Sequence, residues 1–128
     1  MNTQQIGRAG ELLVQYELLK FGIESAPLTT DSGIDLVAFA ANHNKALTIQ
    51  VKANEKLKPG GGQGPLALDW WLRVNSPAEL VALVDLSENR IWLFSHEEFA
   101  SLAQQESKER LHFYMCLEDE VRSKSECV

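Results

Sequence analysis

The stretch Ala46-Leu47-Thr48-Ile49-Gln50-Val51-Lys52 decides the fold of this chain, together with Gly33-Ile34-Asp35-Leu36-Val37-Ala38-Phe39-Ala40 just before it. Both stretches are typical of short strands, and apolar residues alternate with polar ones in the later stretch. Because side chains alternate across a strand, Gln50 and Lys52 point to the same face, away from the apolar set. If the two strands pair, Asp35 meets Gln50 and Lys52 at one point. An acid, an amide oxygen and a lysine at one point suit a divalent cation and a phosphate.

The composition is that of one ordinary globular domain. The chain has 128 residues, of which 45% are hydrophobic and 23% are charged, so it can bury one core and is not expected to be disordered. Its two cysteines lack the close spacing of a zinc site and are too few for a disulfide framework. Residues 1–5 lack the features of a signal peptide, and no apolar run could span a bilayer. We therefore expect a cytoplasmic protein without a membrane partner.

The net charge of −6 argues against broad, non-specific attraction to nucleic acid, because proteins that depend on such attraction are usually basic. The charge is unevenly distributed, however. Between residues 45 and 73, five cations (Lys45, Lys52, Lys56, Lys58, Arg73) face two acids (Glu55, Asp69). A local basic patch around the candidate site is therefore compatible with the acidic total.

The periodicity of apolar residues predicts the following elements: a helix over residues 3–21 ended by Gly22, strands over 23–28, 33–40 and 46–52, a strand or helix over 66–74, strands over 80–86 and 91–94, a helix from 95 to about 105, and a strand over 111–117. Both sides of the first helix carry small or apolar residues, which predicts burial on more than one side. We expect a turn at 42–44 and a mobile glycine-rich loop at 59–65. This order indicates a mixed α/β domain with a central sheet covered by helices.

Three motifs, in this order, resemble the PD-(D/E)XK nuclease superfamily: Gly7-x-x-Gly10-Glu11 in the first helix, Gly33-Ile34-Asp35-Leu36 at a strand start, and Ile49-Gln50-Val51-Lys52 on the next strand. The likeness is greatest to small Holliday-junction-resolvase-like and Mrr-like endonuclease domains, and it is best over residues 1–55. The resemblance implies a restriction-endonuclease-like α/β fold, with a central mixed β-sheet flanked by helices. With the chain length and the polar C-terminal sequence, we expect a single domain of this kind over residues 1–118, followed by a polar tail over 119–128.

The resemblance further implies a catalytic site made of Glu11, Asp35, Gln50 and Lys52. Glu11, Asp35 and Gln50 would hold Mg²⁺ or Mn²⁺, while Lys52 would orient the attacking water and stabilise charge on the phosphorane. The implied function is that of a metal-dependent endonuclease that hydrolyses phosphodiester bonds of DNA. Two positions differ from the common family pattern: Ile34 precedes Asp35 where proline is frequent, and Gln50 stands where glutamate is most frequent.

Two other functional interpretations remain open. The first is a PD-(D/E)XK-like module without catalysis, which binds or regulates through a protein partner; the acidic total charge and Gln50 favour it. The second is a structural homodimer built around Trp70-Trp71 and the apolar strand from Leu80. A titration with Mg²⁺ or Mn²⁺ separates the nuclease from both.

Several residues also have simpler interpretations. Asp35 alone could bond nearby backbone amides, and Glu11 alone is typical of a surface charge. The adjacent tryptophans Trp70 and Trp71 indicate one core and one interface residue, with stacking on unpaired bases as the alternative. Asp85, at the end of an apolar strand, is expected to turn into solvent. We assign no chemistry to the three histidines.

Overall fold

The computed structural model describes residues 1–30, 32–40, 44–59 and 66–116. Along these residues the elements follow in the order α1 (Thr3–Lys20), β1 (Ile23–Pro27), β2 (Leu36–Ala40), β3 (Ala46–Asn54), β4 (Lys58–Pro59), β5 (Leu66–Arg73), β6 (Leu80–Asp85), β7 (Arg90–Ser95), α2 (His96–Leu102), β8 (Gln105–Ser107) and β9 (Arg110–Cys116). Most of the predicted turn at 42–44 and of the glycine-rich loop, and the whole tail over 119–128, lie outside the described residues. Neither helix combines the length and apolar character needed to cross a membrane.

A five-stranded mixed sheet forms the centre of the structure, with the strand order β1-β2-β3-β6-β7. The pairs β1–β2, β2–β3 and β6–β7 are antiparallel, while β3–β6 is parallel. The parallel pair requires a crossover, which the segment containing β4 and β5 supplies. The predicted central mixed sheet with flanking helices is confirmed.

The strand β6 is buried on both faces, as its nearly continuous apolar sequence predicts. Ala82 and Val84 pack with α1 in one core cluster, while Val81 and Leu83 pack in a second cluster on the other face. The central sheet is therefore a partition between two cores.

Helix α1 covers one face of the sheet and begins with a capping box, in which the Asn2 side chain accepts from the backbone N–H of Gln5. Gly10 and Val14 are its buried residues. The exposed side carries Leu12, Tyr16 and Leu19. The prediction that α1 is buried on more than one side is therefore wrong, because its apolar outer stripe faces no other element of the described chain.

A second sheet covers the opposite face, a feature that the sequence did not predict. Its strand order is β4-β5-β9-β8, and all its pairs are antiparallel. Leu68, Trp70 and Phe113 from this sheet pack with Phe99 of α2 against the central strand β6. The ambiguous segment 66–74 is thus a strand. Helix α2 ends at Leu102, earlier than predicted, because the chain then enters β8 and pairs with β9.

Asp85 is fully buried, which contradicts the expectation that it turns into solvent. Its Oδ1 accepts from the backbone N–H of Ser87 at 3.0 Å and from the Ser87 hydroxyl at 2.6 Å. Its Oδ2 accepts from Arg90 Nη2 at 3.0 Å. The carboxylate therefore ties the β6–β7 turn together, and these bonds compensate its removal from water.

Candidate active site

The candidate site lies where β2 begins, beside the middle of β3. The first residue of β2, Leu36, pairs with Ile49 of β3, and Asp35 immediately precedes it. The backbone N–H of Asp35 donates to the Ile49 carbonyl at 2.9 Å, and Asp35 Oδ2 accepts from the Val51 N–H at 2.7 Å. The Asp35 carboxylate thus accepts the hydrogen bond that a strand carbonyl would otherwise accept from Val51, the residue between Gln50 and Lys52. Asp35 lies just outside β2, whereas the sequence placed it within the strand.

The chain reaches Asp35 through a glycine that the geometry requires. Gly33 has a φ of +86°, and a Cβ at this position would lie 2.9 Å from Pro77 Cδ. An L side chain would be strained by the backbone conformation and would also collide with the proline ring. Gly33 therefore lets the segment before β2 pass close to the β5–β6 connection.

Gln50 lies on the face of β3 that is turned away from α1, as the alternation of the strand predicts. Its Oε1 accepts a hydrogen bond of 2.7 Å from the Ser76 hydroxyl. Nearby on the same face, Thr48 Oγ1 accepts from the backbone N–H of Glu79 at 2.9 Å. The β5–β6 connection is therefore fastened to the polar face of β3, which leaves Gln50 half-buried in the wall of a cleft.

The cleft has a volume of about 560 Å³ and lies between the polar face of β3 and the adjoining ends of β5 and β9. Gln50 and Lys52 line it from the central sheet. Further along β3, the Asn54 side chain donates to the Asp69 carbonyl at 2.7 Å and accepts from the Asp69 N–H at 3.3 Å. This pair of bonds joins the two sheets beside the cleft.

Two arginines supply most of the positive charge of the cleft. Arg73 and Arg110 both line it and are direct partners across the antiparallel pair β5–β9. Like charges directly opposite each other destabilise a sheet, so this pairing is unfavourable without an anion. With Lys52, three cations line the cleft, and its described lining residues include no acid. The local charge is therefore opposite in sign to that of the whole chain.

Glu11 is the one predicted site residue on a helix. It lies on α1, where its Oε1 accepts from Arg8 Nη1 at 3.2 Å. The neighbouring Gly10 faces Val51 and Ala53, whose side chains point away from Gln50 and Lys52. The structure thus brings Asp35 to the backbone N–H of Val51, between Gln50 and Lys52, while Glu11 belongs to the helix that packs on the opposite face of β3. Its participation in a metal site stays a prediction.

The oxygens at this site fit a hard divalent cation. Asp35 offers a carboxylate and Gln50 an amide oxygen, both ligand types that Mg²⁺ accepts. The described part of the chain contains no cluster of three or more histidine, cysteine, aspartate or glutamate side chains suited to a metal. Mg²⁺ commonly uses one or two carboxylates and fills its remaining positions with water and substrate phosphate. The donor set therefore suits a cation shared with a phosphate better than a cage made of protein ligands alone.

Sequence reasoning missed three residues that complete the cleft: Ser76, Arg73 as a site residue, and Arg110. Arg73 closes the basic segment noted in the sequence, which was the one available signal. Arg110 is remote in the chain and joins the cleft only through the register of β9 with β5.

The two adjacent tryptophans differ in burial, as predicted: Trp70 is 2% exposed and Trp71 is 40% exposed.

Comparison with known proteins identifies the fold. No family model and no curated protein sequence matches the chain. Among solved structures, it is similar to the bacterial homing endonuclease I-Ssp6803I, with a TM-score of 0.63 and 17% identity over 98% of this chain and 84% of the other. It is also similar to Hjc, a Holliday junction resolvase of the archaeal hyperthermophile Archaeoglobus fulgidus, with a TM-score of 0.57 and 19% identity over 93% of this chain and 97% of the other. The chain has the restriction-endonuclease-like fold of these two nucleases, as its resemblance to the PD-(D/E)XK superfamily implied.

Proposed function

We propose that this protein is a metal-dependent endonuclease that hydrolyses phosphodiester bonds of DNA, with Asp35, Gln50 and Lys52 in its catalytic site. The observation that carries the proposal is the 2.7 Å hydrogen bond from the Val51 N–H to the Asp35 carboxylate. This bond fixes an acid between Gln50 and Lys52, the two residues that flank Val51. The side chains of Gln50 and Lys52 line a cationic cleft. The nuclease fold of the two similar structures supports the same conclusion.

In the proposed reaction, a water oxygen adds to phosphorus and one P–O ester bond breaks, which leaves a phosphate monoester and a hydroxyl. The Asp35 carboxylate and Gln50 Oε1 would hold a divalent cation, which supplies a Lewis acid and a more acidic water when bound. The Lys52 ammonium would stabilise the negative charge that grows on the non-bridging oxygens. Glu11 would support the cation from the α1 side of β3.

Arg73 and Arg110 would hold phosphates of the same strand next to the bond that breaks. Arginine binds phosphate with two parallel N–H donors, and a bound phosphate would remove the repulsion within this cross-strand pair. DNA binding at the cleft would therefore need no overall positive charge of the chain, since three cations line the cleft.

Specific observations favour the catalytically inactive binding module as a second candidate. Glu11 is paired with Arg8, and Gln50 Oε1 already accepts the Ser76 hydroxyl, so neither side chain is without a protein partner. Such a module would keep the fold and the cationic cleft, but it would bind neither Mg²⁺ nor Mn²⁺ with useful affinity.

The deciding experiment combines metal titration and DNA cleavage. Calorimetry with Mg²⁺ and Mn²⁺ is performed on the wild type and on Asp35→Asn, which keeps an oxygen acceptor for the Val51 N–H but removes the charge. Cleavage of plasmid and branched DNA is measured with Mg²⁺, with Mn²⁺ and with a chelator. We expect cleavage only with metal, and a loss of at least about a hundredfold in Asp35→Asn and Lys52→Met.

Lys45→Met is the matched control for Lys52→Met, because Lys45 precedes the same strand and pairs with Glu79 at the surface. It should cleave as the wild type does. Metal-independent cleavage, or equal cleavage by Lys52→Met and Lys45→Met, would contradict the proposal. Absence of both metal binding and cleavage in the wild type would leave the binding module as the better conclusion.

A further inference from the structure

A second cavity adjoins the cleft and shares Trp71, Arg73 and Arg110 with it. Its volume is about 730 Å³, and Lys108 and Glu109 line its far side. We refer to Trp71, Arg73, Lys108 and Arg110 as the Trp71 platform. The described lining of the cavity holds three cations against one acid, Glu109, so a polyanion that leaves the cleft in this direction continues along a net positive surface.

The indole of Trp71 is held in a fixed position. It stacks on the His112 imidazole, with ring centroids 3.9 Å apart and an angle of 6° between the planes. His112 is itself anchored on both nitrogens: Nε2 lies 3.0 Å from Asp69 Oδ2, and Nδ1 lies 3.2 Å from Gln105 Oε1. The buried imidazole thus supports one face of an indole that keeps 40% of its surface exposed.

This stack has no evident role in the core. Trp70 and Leu72 point from β5 into the core between the sheets, while Trp71 points outward. The exposed indole forgoes apolar burial at the mouth of a cationic cavity, yet it stacks on a histidine that polar contacts hold in place. Proteins that bind single strands combine these two features, a backbone-tracking cationic groove and an aromatic face on which a base can stack.

We propose that the Trp71 platform binds an unpaired segment of the DNA substrate, with one base stacked on Trp71 and the flanking phosphates on Arg73 and Arg110. This inference rests on the proposed nuclease function and specifies its substrate class: DNA that carries an unpaired strand beside a duplex. Bases within a continuous duplex are stacked on each other, so a duplex could use Trp71 only after a base is extruded at an energetic cost. Stacking is tolerant of sequence, so the platform selects the structure of the substrate rather than its bases.

The test measures DNA binding with a chelator present, which separates it from cleavage. Fluorescence anisotropy compares a labelled blunt duplex with the same duplex carrying a single-stranded extension. We expect the wild type to bind the extended DNA about tenfold more tightly than the blunt duplex, and Trp71→Ala to lose this difference. Trp71→Phe, which keeps an aromatic face, should retain most of it.

Phe39→Ala is the matched control, because Phe39 is an aromatic residue 45% exposed at the end of β2 that is remote from Asp35. It should bind both DNAs as the wild type does. Binding of the extended DNA should also quench tryptophan fluorescence in the wild type and not in Trp71→Phe, a readout that does not depend on the alanine variant folding.

Equal binding of the two DNAs by the wild type, or equal loss for both in Trp71→Ala, would overturn the platform. Either result would leave the nuclease proposal standing on its own cleavage test. A wild type that binds neither DNA would also overturn the platform, and the cleavage test with Mg²⁺ would still decide the nuclease proposal separately.

Discussion

The Ser76 hydroxyl donates a hydrogen bond of 2.7 Å to the side-chain oxygen of Gln50, 26 residues earlier in the chain. This bond shows how a polar residue is accommodated in the middle of a sheet. The β5–β6 connection supplies a partner for the amide oxygen, and the side chain stays at the wall of the cleft. Gln50 is therefore already oriented at the place where the proposed cation would bind.

Gln50→Glu should increase the affinity for Mg²⁺. The carboxylate has nearly the same shape, can still accept from Ser76, and restores an anionic ligand. Charge-assisted contacts are roughly twice as strong as neutral ones, so we expect a gain of about tenfold, or ~1.4 kcal/mol, by calorimetry. In a thermal melt, the variant should be less stable than the wild type without metal and should recover when Mg²⁺ is added. A destabilised variant that metal does not rescue would show that Gln50 is a structural amide.

Arg110→Gln should weaken DNA binding and should not lower the free energy of unfolding. Removing one member of the Arg73–Arg110 pair relieves a cross-strand repulsion of about 0.2–1 kcal/mol. It also removes a proposed phosphate contact, which should lower the salt slope of duplex binding by about 0.9. The control is Lys20→Ala, which removes a cation that pairs with Glu17 on α1. A loss of stability with an unchanged salt slope would mean that Arg110 is a structural residue.

Gly10→Ala and Gly7→Ala should have opposite effects on stability. A Cβ at Gly10 would lie 2.7 Å from Ala53 Cβ, whereas a Cβ at Gly7 would meet nothing within 4 Å. Overpacking between α1 and β3 should therefore cost about 1–3 kcal/mol in Gly10→Ala. Gly7→Ala should raise the free energy of unfolding by about 0.5–1 kcal/mol, because alanine favours the helix. Urea denaturation of both variants measures the difference, and equal effects would contradict the packing of α1 on β3.

Arg90→Met should destabilise the protein on the order of 2 kcal/mol, because it removes the cationic partner of the fully buried Asp85 carboxylate. Lys20→Met breaks an ion pair of similar length on the surface of α1 and should cost less than about 0.5 kcal/mol. Both values come from urea denaturation at neutral pH. Similar small losses would mean that the Ser87 bonds alone satisfy Asp85.

The sequence by itself determined the elements that depend on local chemistry. The sequence predicted a helix from residue 95, and the structure has a capping box there, in which the Glu98 N–H donates to the Ser95 hydroxyl oxygen at 3.1 Å. Gly22, with a φ of +76°, ends α1 as predicted. The alternation in β3 predicted which side chains share a face, because the period of a strand is fixed by its backbone. These features need no information about distant parts of the chain.

Only the tertiary structure decided which apolar and charged residues found partners. Periodicity shows that Leu12, Tyr16 and Leu19 form an apolar stripe, but it cannot show that α1 packs through Gly10 and Val14 instead. Close helix–sheet approach favours the small side, since a glycine lets the backbone of α1 come nearer to β3. The sequence likewise gave no sign that Asp85 would be buried. Its carboxylate is accommodated because Ser87 and Arg90 both donate to it once β6 and β7 pair.

The candidate site shows the same division. Asp35, Gln50 and Lys52 could be predicted because they lie on consecutive stretches of chain that form a local antiparallel pair. Arg73, Ser76 and Arg110 come from the second sheet and its connections, and they reach the cleft through strand register between residues far apart in sequence. The sequence thus predicted that the acid, amide and lysine of the candidate site lie near one another. The cationic wall of the cleft was decided by the packing of two sheets, because long-range register depends on the burial of the whole core and not on any one segment.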